Sequence, residues 1–420
     1  MKIAIRNGRV IDPKHGFDGK ADLFIADGKI AGIGQTPAGF SPDRSIDATG
    51  NVVCPGFIDL GARLHSIEAE LAAAVAGGVT SVVVPPDADP PLDEPELADR
   101  LVHRAGDIGL ARVMPLGALT VGLNGERLAE LAGLAKAGCV AFSQAKRPVV
   151  DTEALLRALE YAATFGFAVW LQPQDHWLSR NGIAHAGEVA SRLGLAGIPV
   201  SAETVAICTY LQLVRDTGVR LHLTRLSSAA GMRQVEQAQA EGLPVTCDVG
   251  VHHLHLTEND IGFFNSQARF DPPLRAQSDR DALSAGAAAG LAAICSDHTP
   301  VGADDKLLPF GEAKPGATGL ELLLPLTLKW ATHNRVPLPT ALARLTVDPA
   351  AVIGIDCGHL GVGAAADICV FDPQADWRLT ADKLVSKGKN TPFLGLELQG
   401  KVGLTLVGGK VVFDGERKSA

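Results

Sequence analysis

Three kinds of residue stand at the ends of apolar runs where chemistry could be done. Arg63 follows "PGFIDL", Arg225 follows "RLHLT", Lys146 follows "GCVAFSQ" and Asp297 follows "LAAICS". A carboxylate so placed could act as a general base toward a metal-activated water. It could equally be the anion of a buried ion pair, which requires a cation beside it to offset desolvation. The arginines suit only the second use, because a guanidinium is always protonated and has no lone pair to give a metal. Each guanidinium about 4 Å from a divalent ion would cost roughly 8 kcal/mol at an effective dielectric of about 20.

The other candidates are weaker. "VHHLHL" contains His253-x-His255, but one such pair on a strand is a poor metal signal, and His252, His253 and His255 are expected to make hydrogen bonds or packing contacts. His222 and His298 lie inside strand-like runs, where satisfied core histidines are common. Lys146 is expected to be a solvated surface lysine. The seven cysteines show no C-x-x-C spacing and read as reduced core thiols. The Gly-rich stretches lack a phosphate-binding pattern.

The elements that must position these residues follow from pattern. The 420-residue chain, 46% hydrophobic and 20% charged, is long enough for one large barrel and a smaller domain. Eight apolar runs, "NVVCPGFIDL", "VTSVVVPP", "ARVMPLGAL", "GCVAFSQ", "FAVWLQP", "VRLHLTRLS", "PVTCDVGV" and "LAAICSDHT", alternate with helical stretches such as "TEALLRALEYAAT". Continuous apolar strands between helices predict a parallel sheet buried on both faces, and eight such units predict an α/β fold of the (β/α)8 TIM-like barrel type, with chemistry at the strand C-termini. Short alternating runs with Asn-Gly and Asp-Gly turns occur before residue 53 and again after about 361. They predict a small discontinuous β-sandwich built from both termini. The expected division is 1–53 plus 355–420 for that domain and 54–354 for the barrel.

A net charge of −9 and a pI near 5.7 give no electrostatic reason to expect nucleic acid or an anionic membrane as partner. No run resembles a signal peptide or a spanning helix, so a cytoplasmic protein is expected.

The words "RNGRVIDP", "PGFIDL", "AGGVTSVVVPP", "GCVAFS", "VHHLHLTEND", "DPPLR", "SDHTP" and "PFGEAKPGATGLE" occur in this order across essentially the whole chain. In them the sequence resembles the cyclic amidohydrolases, specifically the dihydroorotases that associate with aspartate carbamoyltransferase. The resemblance implies metal ligands at five strand ends, and four of those ends have changed. Gly61 and Arg63 replace a His-x-His pair, Gln144 stands in a Phe-Ser-Asp-Asp-Gly motif, Pro173 takes a histidine slot with His176 three residues beyond it, and Arg225 replaces a histidine. Asp297, the family's catalytic aspartate, remains. Substrate contacts differ as well: His65 replaces an arginine, Asp271 an asparagine and Val301 a histidine, while "PPDADP" replaces Pro-Asn-Thr-Asn with one residue inserted.

Scaffold words that persist beside absent chemical words imply a catalytically inactive homologue, with Asp297 vestigial and with no metal or other cofactor. Its expected role is that of a structural subunit for aspartate carbamoyltransferase catalytic chains in pyrimidine biosynthesis, as a homo-oligomer or hetero-oligomer. The alternative is an active amidohydrolase with a displaced or single-metal site. If the metal is excluded, Arg63, Arg225 or both are expected to pair with Asp297. "PFGEAKPGATGLE" is expected to shape a loop after strand eight, or to close over a small ligand.

Overall fold

A computed structural model describes residues 1–415. Eight parallel strands follow one another around a barrel: Phe57–Asp59, Val79–Val84, Arg112–Ala118, Ala141–Ser143, Ala168–Leu171, Arg220–Leu223, Val245–Gly250 and Ala293–Cys295. They are numbered one to eight below. Val79–Val84 is buried at every residue, which is why no polar alternation shows in its sequence.

Helices cover the outer face. Thr152–Thr164 starts where the Asp151 carboxylate accepts from the Glu153 and Ala154 N–H groups at 2.8 and 3.2 Å, an N-cap worth about 1 kcal/mol. It buries Leu155, Ala158, Leu159 and Ala162, the one-sided stripe that a 3.6-residue period gives.

The barrel closes mainly at its mouth. Near the mouth His298 N–H donates to Gly61 O at 3.1 Å, and Arg63 N–H donates to His298 O at 2.9 Å. Lower down, the 344–345 backbone lies between strands one and eight, accepting from Ile58 N–H at 2.8 Å and Ile294 N–H at 3.3 Å. His298 stiffens the seam. Its Nδ1 accepts from Gly319 N–H at 3.0 Å, so Nε2 carries the proton and donates to Glu70 at 3.0 Å.

Both termini build one eight-stranded sheet. Its order is 410–414, 397–407, 368–378, 52–55, 2–12, 17–26 and 29–33, with 44–47 also pairing with 2–12. The expected sandwich is thus a continuous sheet folded over a core that includes Ile3, Ile5, Leu23, Ile25, Ile368 and Leu406. The run "NVVCPGFIDL" divides between the two units. Val52–Pro55 belongs to the terminal sheet and only Phe57–Asp59 to the barrel. No described helix is long and apolar enough to cross a membrane.

Candidate functional site at the barrel mouth

Three strand ends turn through backbone conformations that L-residues rarely adopt. Ala145 after strand four, Arg225 after strand six and Asp297 after strand eight have φ of 52°, 55° and 43°. Such positions cost of order 1 kcal/mol or more each and persist where surrounding structure enforces them. At Arg225 the enforcing group is Asp248. It accepts from Arg225 N–H and from His222 Nε2, both at 2.8 Å, while His222 Nδ1 meets Thr246 Oγ1 at 2.8 Å. Burial pushes the Asp248 carboxyl up, but the His222 and Arg225 contacts outweigh it and hold the group below its ordinary range.

The arginines converge on the surviving acid. Arg225 Nε lies 3.6 Å and Arg63 Nη1 3.9 Å from Asp297 Oδ1, and all three side chains are at least nine-tenths buried. Both separations exceed hydrogen-bond length, so charge rather than directed bonding holds Asp297. Arg63 also grips Asp87, with Nε and Nη2 donating to Oδ2 at 3.0 and 2.8 Å, and donates to Thr299 Oγ1 at 3.2 Å. Arg225 Nη2 donates to Gln172 Oε1 at 3.1 Å. Burial would raise the Asp87 carboxyl, yet Arg63 first, then Lys146 and Arg225, hold it low.

Lys146 corrects an expectation. It is not a solvated surface lysine, because its side chain is only 18% exposed and its Nζ stands 3.8 Å from Asp271 Oδ2. Burial lowers its affinity for a proton; Asp271 opposes this and Arg63 adds to it. The mouth therefore carries Arg63, Arg225 and Lys146 against Asp87, Asp297 and Asp271, three of each sign.

The remaining positions contribute little to this centre. Gln144 bonds to Thr120 Oγ1 at 2.8 Å. Pro173 is buried and offers no donor, and His176 opens a short helix outside the network, packed on Trp177. His65 Nδ1 meets Pro300 O at 2.9 Å, and Val301 is buried with its N–H on Asn390. His253 and His255 do not converge, since their Nε2 atoms meet Pro272 O at 3.1 Å and Leu326 O at 2.9 Å. His252 lies flat on Phe393, 5.7 Å between centroids, and burial pushes it down to about 3.

Gly61 has a steric role. A Cβ at this position would come within 3.3 Å of Arg225 Nη1, so the missing side chain leaves room for the guanidinium. Gly61→His is expected to destabilise the protein by about 1–3 kcal/mol through overpacking. Adding Arg225→Ala should recover part of that loss in denaturant unfolding, whereas additive losses would show that the two side chains do not compete.

Beneath the mouth, Asp59 accepts from Ser296 N–H at 2.7 Å and Ser296 Oγ at 2.6 Å. Burial nonetheless raises its carboxyl to about 6. The folded chain then holds a proton that the unfolded chain, titrating near 3.9, has released. Stability from this group is greatest below about pH 4 and declines as pH rises to about 6, by up to about 3 kcal/mol. The depressed Asp87 and Asp248 act oppositely, and their contribution is lost as pH falls below about 4. Asp59→Asn should flatten the denaturation midpoint between pH 4 and 6, and an unchanged slope there would contradict the assignment.

Comparison with known proteins bears on this arrangement. A dihydro-orotase-like family model matches residues 50–230, and an amidohydrolase family model matches residues 158–413. A dihydroorotase-like protein of Pseudomonas putida is 46% identical over 98% of this chain and 99% of its own length. The chain belongs to the dihydroorotase-like amidohydrolases. A dihydroorotase of Geobacter sp. (strain M21) is 38% identical over 98% of this chain and 99% of its own length. Among solved structures, the L-hydantoinase (dihydropyrimidinase) of Arthrobacter aurescens superimposes with a TM-score of 0.87 at 25% identity, covering 100% of this chain and 97% of that one.

Family membership raises the question of zinc, and the donor set answers it. Zinc takes three or four His, Cys or carboxylate donors. Among the described residues, no group of three such side chains could hold a metal ion. Around Asp297 the positions that the family resemblance marks for ligands offer a hydrogen atom at Gly61, an amide at Gln144, a pyrrolidine ring at Pro173 and cations at Arg63 and Arg225. This dihydroorotase-like site does not fit the family metal. What it can do chemically is hold a buried carboxylate between two guanidiniums.

Sequence reasoning missed Asp87, Gln172 and Asp248 as members of the network. An Asp within the otherwise apolar run "PVTCDVGV" was a readable signal for Asp248, because a buried carboxylate needs partners. Asp87 lies in "PPDADP", which the family resemblance marks as changed, but nothing there pointed to Arg63, and Gln172 offered no comparable signal.

Proposed function

We propose that this chain is a non-hydrolytic dihydroorotase-like protein that works in the cytoplasm as a structural subunit for aspartate carbamoyltransferase catalytic chains in pyrimidine biosynthesis. One observation carries the non-hydrolytic part of the reading, and the subunit role rests on the family resemblance. Arg63 and Arg225 stand 3.9 and 3.6 Å from Asp297, where their charge opposes the cation that would activate water. Hydrolysis of a cyclic amide needs a polarised carbonyl and an activated water. A carboxylate whose charge is already matched by two arginines is a weakened base toward water, and the arginines oppose the metal that would acidify that water. The barrel is closed at its mouth and its strand ends hold their strained turns, which is what a subunit valued for shape and surface requires.

The second reading is an active amidohydrolase with a displaced or single-metal site. Its support is the survival of Asp297 and the name dihydroorotase borne by relatives at 38% identity. The 46% identical relatives of Pseudomonas putida and Pseudomonas aeruginosa are named dihydroorotase-like protein. Two measurements separate the readings. Metal analysis of the purified protein should find less than 0.1 zinc per chain, and mixing with the same organism's aspartate carbamoyltransferase should give a larger species of defined mass. Stoichiometric zinc supports the second reading, and failure to associate removes the subunit role.

A further inference from the structure

Between two outer helices lies a cavity of about 420 Å³ that none of the residues around Asp297 lines. Its walls are Gln277–Ala289, which leads from strand seven to strand eight, and Leu323–Asn334. Trp330 Nε1 donates to Ser284 Oγ at 2.9 Å and joins the two helices. Leu254 and His255, from the turn after strand seven, complete the lining. The volume lies in the range that small-molecule sites occupy.

The lining is lopsided in charge. Arg280, Lys329 and His333 stand against one carboxylate, Asp281. That carboxylate engages only part of one cation, its Oδ1 accepting from Arg280 Nε and Nη2 at 3.0 and 2.7 Å. Among the described residues, Arg280 Nη1 has no hydrogen-bond partner, and the Lys329 and His333 side chains have neither a hydrogen bond nor an ion pair. Their field reaches His255, from the His-x-His pair of the sequence. Burial pushes that imidazole down to about 4; its bond to Leu326 O opposes the shift, and Lys329, Arg280 and His333 add to it. In a chain of net charge −9 this is a local excess of positive charge, and a concave site focuses such a field on a ligand of opposite sign.

The donors select the ligand. A phosphate monoester carries about −1.5 to −2 charges and three strong acceptor oxygens. It can meet a guanidinium, an ammonium and an imidazole at once, where a carboxylate brings a single charge and two oxygens. The cavity also extends beyond the cations. The amides of Gln277 and Asn334 and the apolar side chain of Leu254 line the remainder, so the body of an ester finds hydrogen-bonding groups and a nonpolar wall.

We propose that this cavity binds a small organic phosphate ester, with the phosphate held by Arg280, Lys329 and His333. The inference goes beyond the subunit reading and does not depend on it.

The test is calorimetric titration of the full-length protein with glucose 6-phosphate, with inorganic phosphate and glucose as comparisons. Glucose 6-phosphate should bind with Kd below about 1 mM, at least about fivefold tighter than inorganic phosphate, and glucose should not bind measurably. The affinity should fall as KCl is raised. Lys329→Gln with His333→Gln alters two exposed side chains, so the unfolding midpoint should hold while binding weakens at least about tenfold. Asp281→Asn releases the whole Arg280 guanidinium and should tighten binding at least about threefold, a gain that misfolding does not produce. Lys136→Gln, at an exposed lysine outside the cavity, should leave the affinity unchanged. No binding of glucose 6-phosphate, or binding that the double variant leaves undiminished, overturns the site. Equal affinity for inorganic phosphate reduces it to an unselective anion spot and overturns the ester.

Discussion

Asp297→Ala is expected to cost about 3–5 kcal/mol of folding stability, because it leaves Arg63 and Arg225 facing each other without their shared anion. The carboxylate is 2% exposed, so water does not take its place cheaply. Asp297→Asn should lose most of the same amount, since it keeps the shape and removes the charge. The diagnostic result is the double variant. Arg225→Met together with Asp297→Ala removes one cation with the anion, and Arg63 retains Asp87 at 2.8 Å. Its cost in urea unfolding should therefore fall short of the summed single costs by about 2 kcal/mol, a coupling typical of groups in one network. Strict additivity would mean that the charges do not depend on one another.

Rebuilding a donor set should restore metal affinity. Replacing Gly61, Arg63 and Arg225 together by histidine would surround Asp297 with three imidazoles, a combination that zinc accepts. It would also remove two guanidiniums whose repulsion of a divalent ion is roughly 8 kcal/mol apiece at 4 Å. Zinc affinity of the triple variant should exceed that of the wild type by at least about a thousandfold in a calorimetric titration. Arg63→His alone should gain little, because Arg225 still fills the space beside Gly61. If the triple variant bound zinc no better than the wild type, exclusion of the metal would not be the work of the arginines.

The barrel was legible because its strands are apolar on both faces and end in polar residues, so eight runs could be read without knowing their pairing. Arg63, Arg225 and Asp297 were legible for the same reason, each closing such a run. Their partners were not. Asp87 reaches Arg63 from the loop after strand two, 24 residues along the chain, and Lys146 is shielded partly by Asp271, which no local pattern connects to it. The place of the split within "NVVCPGFIDL" was also hidden, because Val52–Pro55 is as apolar as a barrel strand and joins the terminal sheet by pairing with 368–371 and with Arg9 and Val10. Local pattern reports which residues are buried; pairing across hundreds of residues decides beside what.

The reading of Gly61 changed most. As a missing histidine it is a loss, but its bare Cα also makes the space that Arg225 fills. One site thus combines a bare Cα, the guanidinium that fills the space beside it and an acid held by that guanidinium.

Turnover of dihydroorotate by the purified protein with added zinc tests the central claim most directly. The expected result is a rate indistinguishable from that of buffer with zinc, unchanged by Asp297→Asn. Zinc-dependent hydrolysis at ordinary enzyme rates, about 1–1000 per second, and abolished by Asp297→Asn, would contradict it.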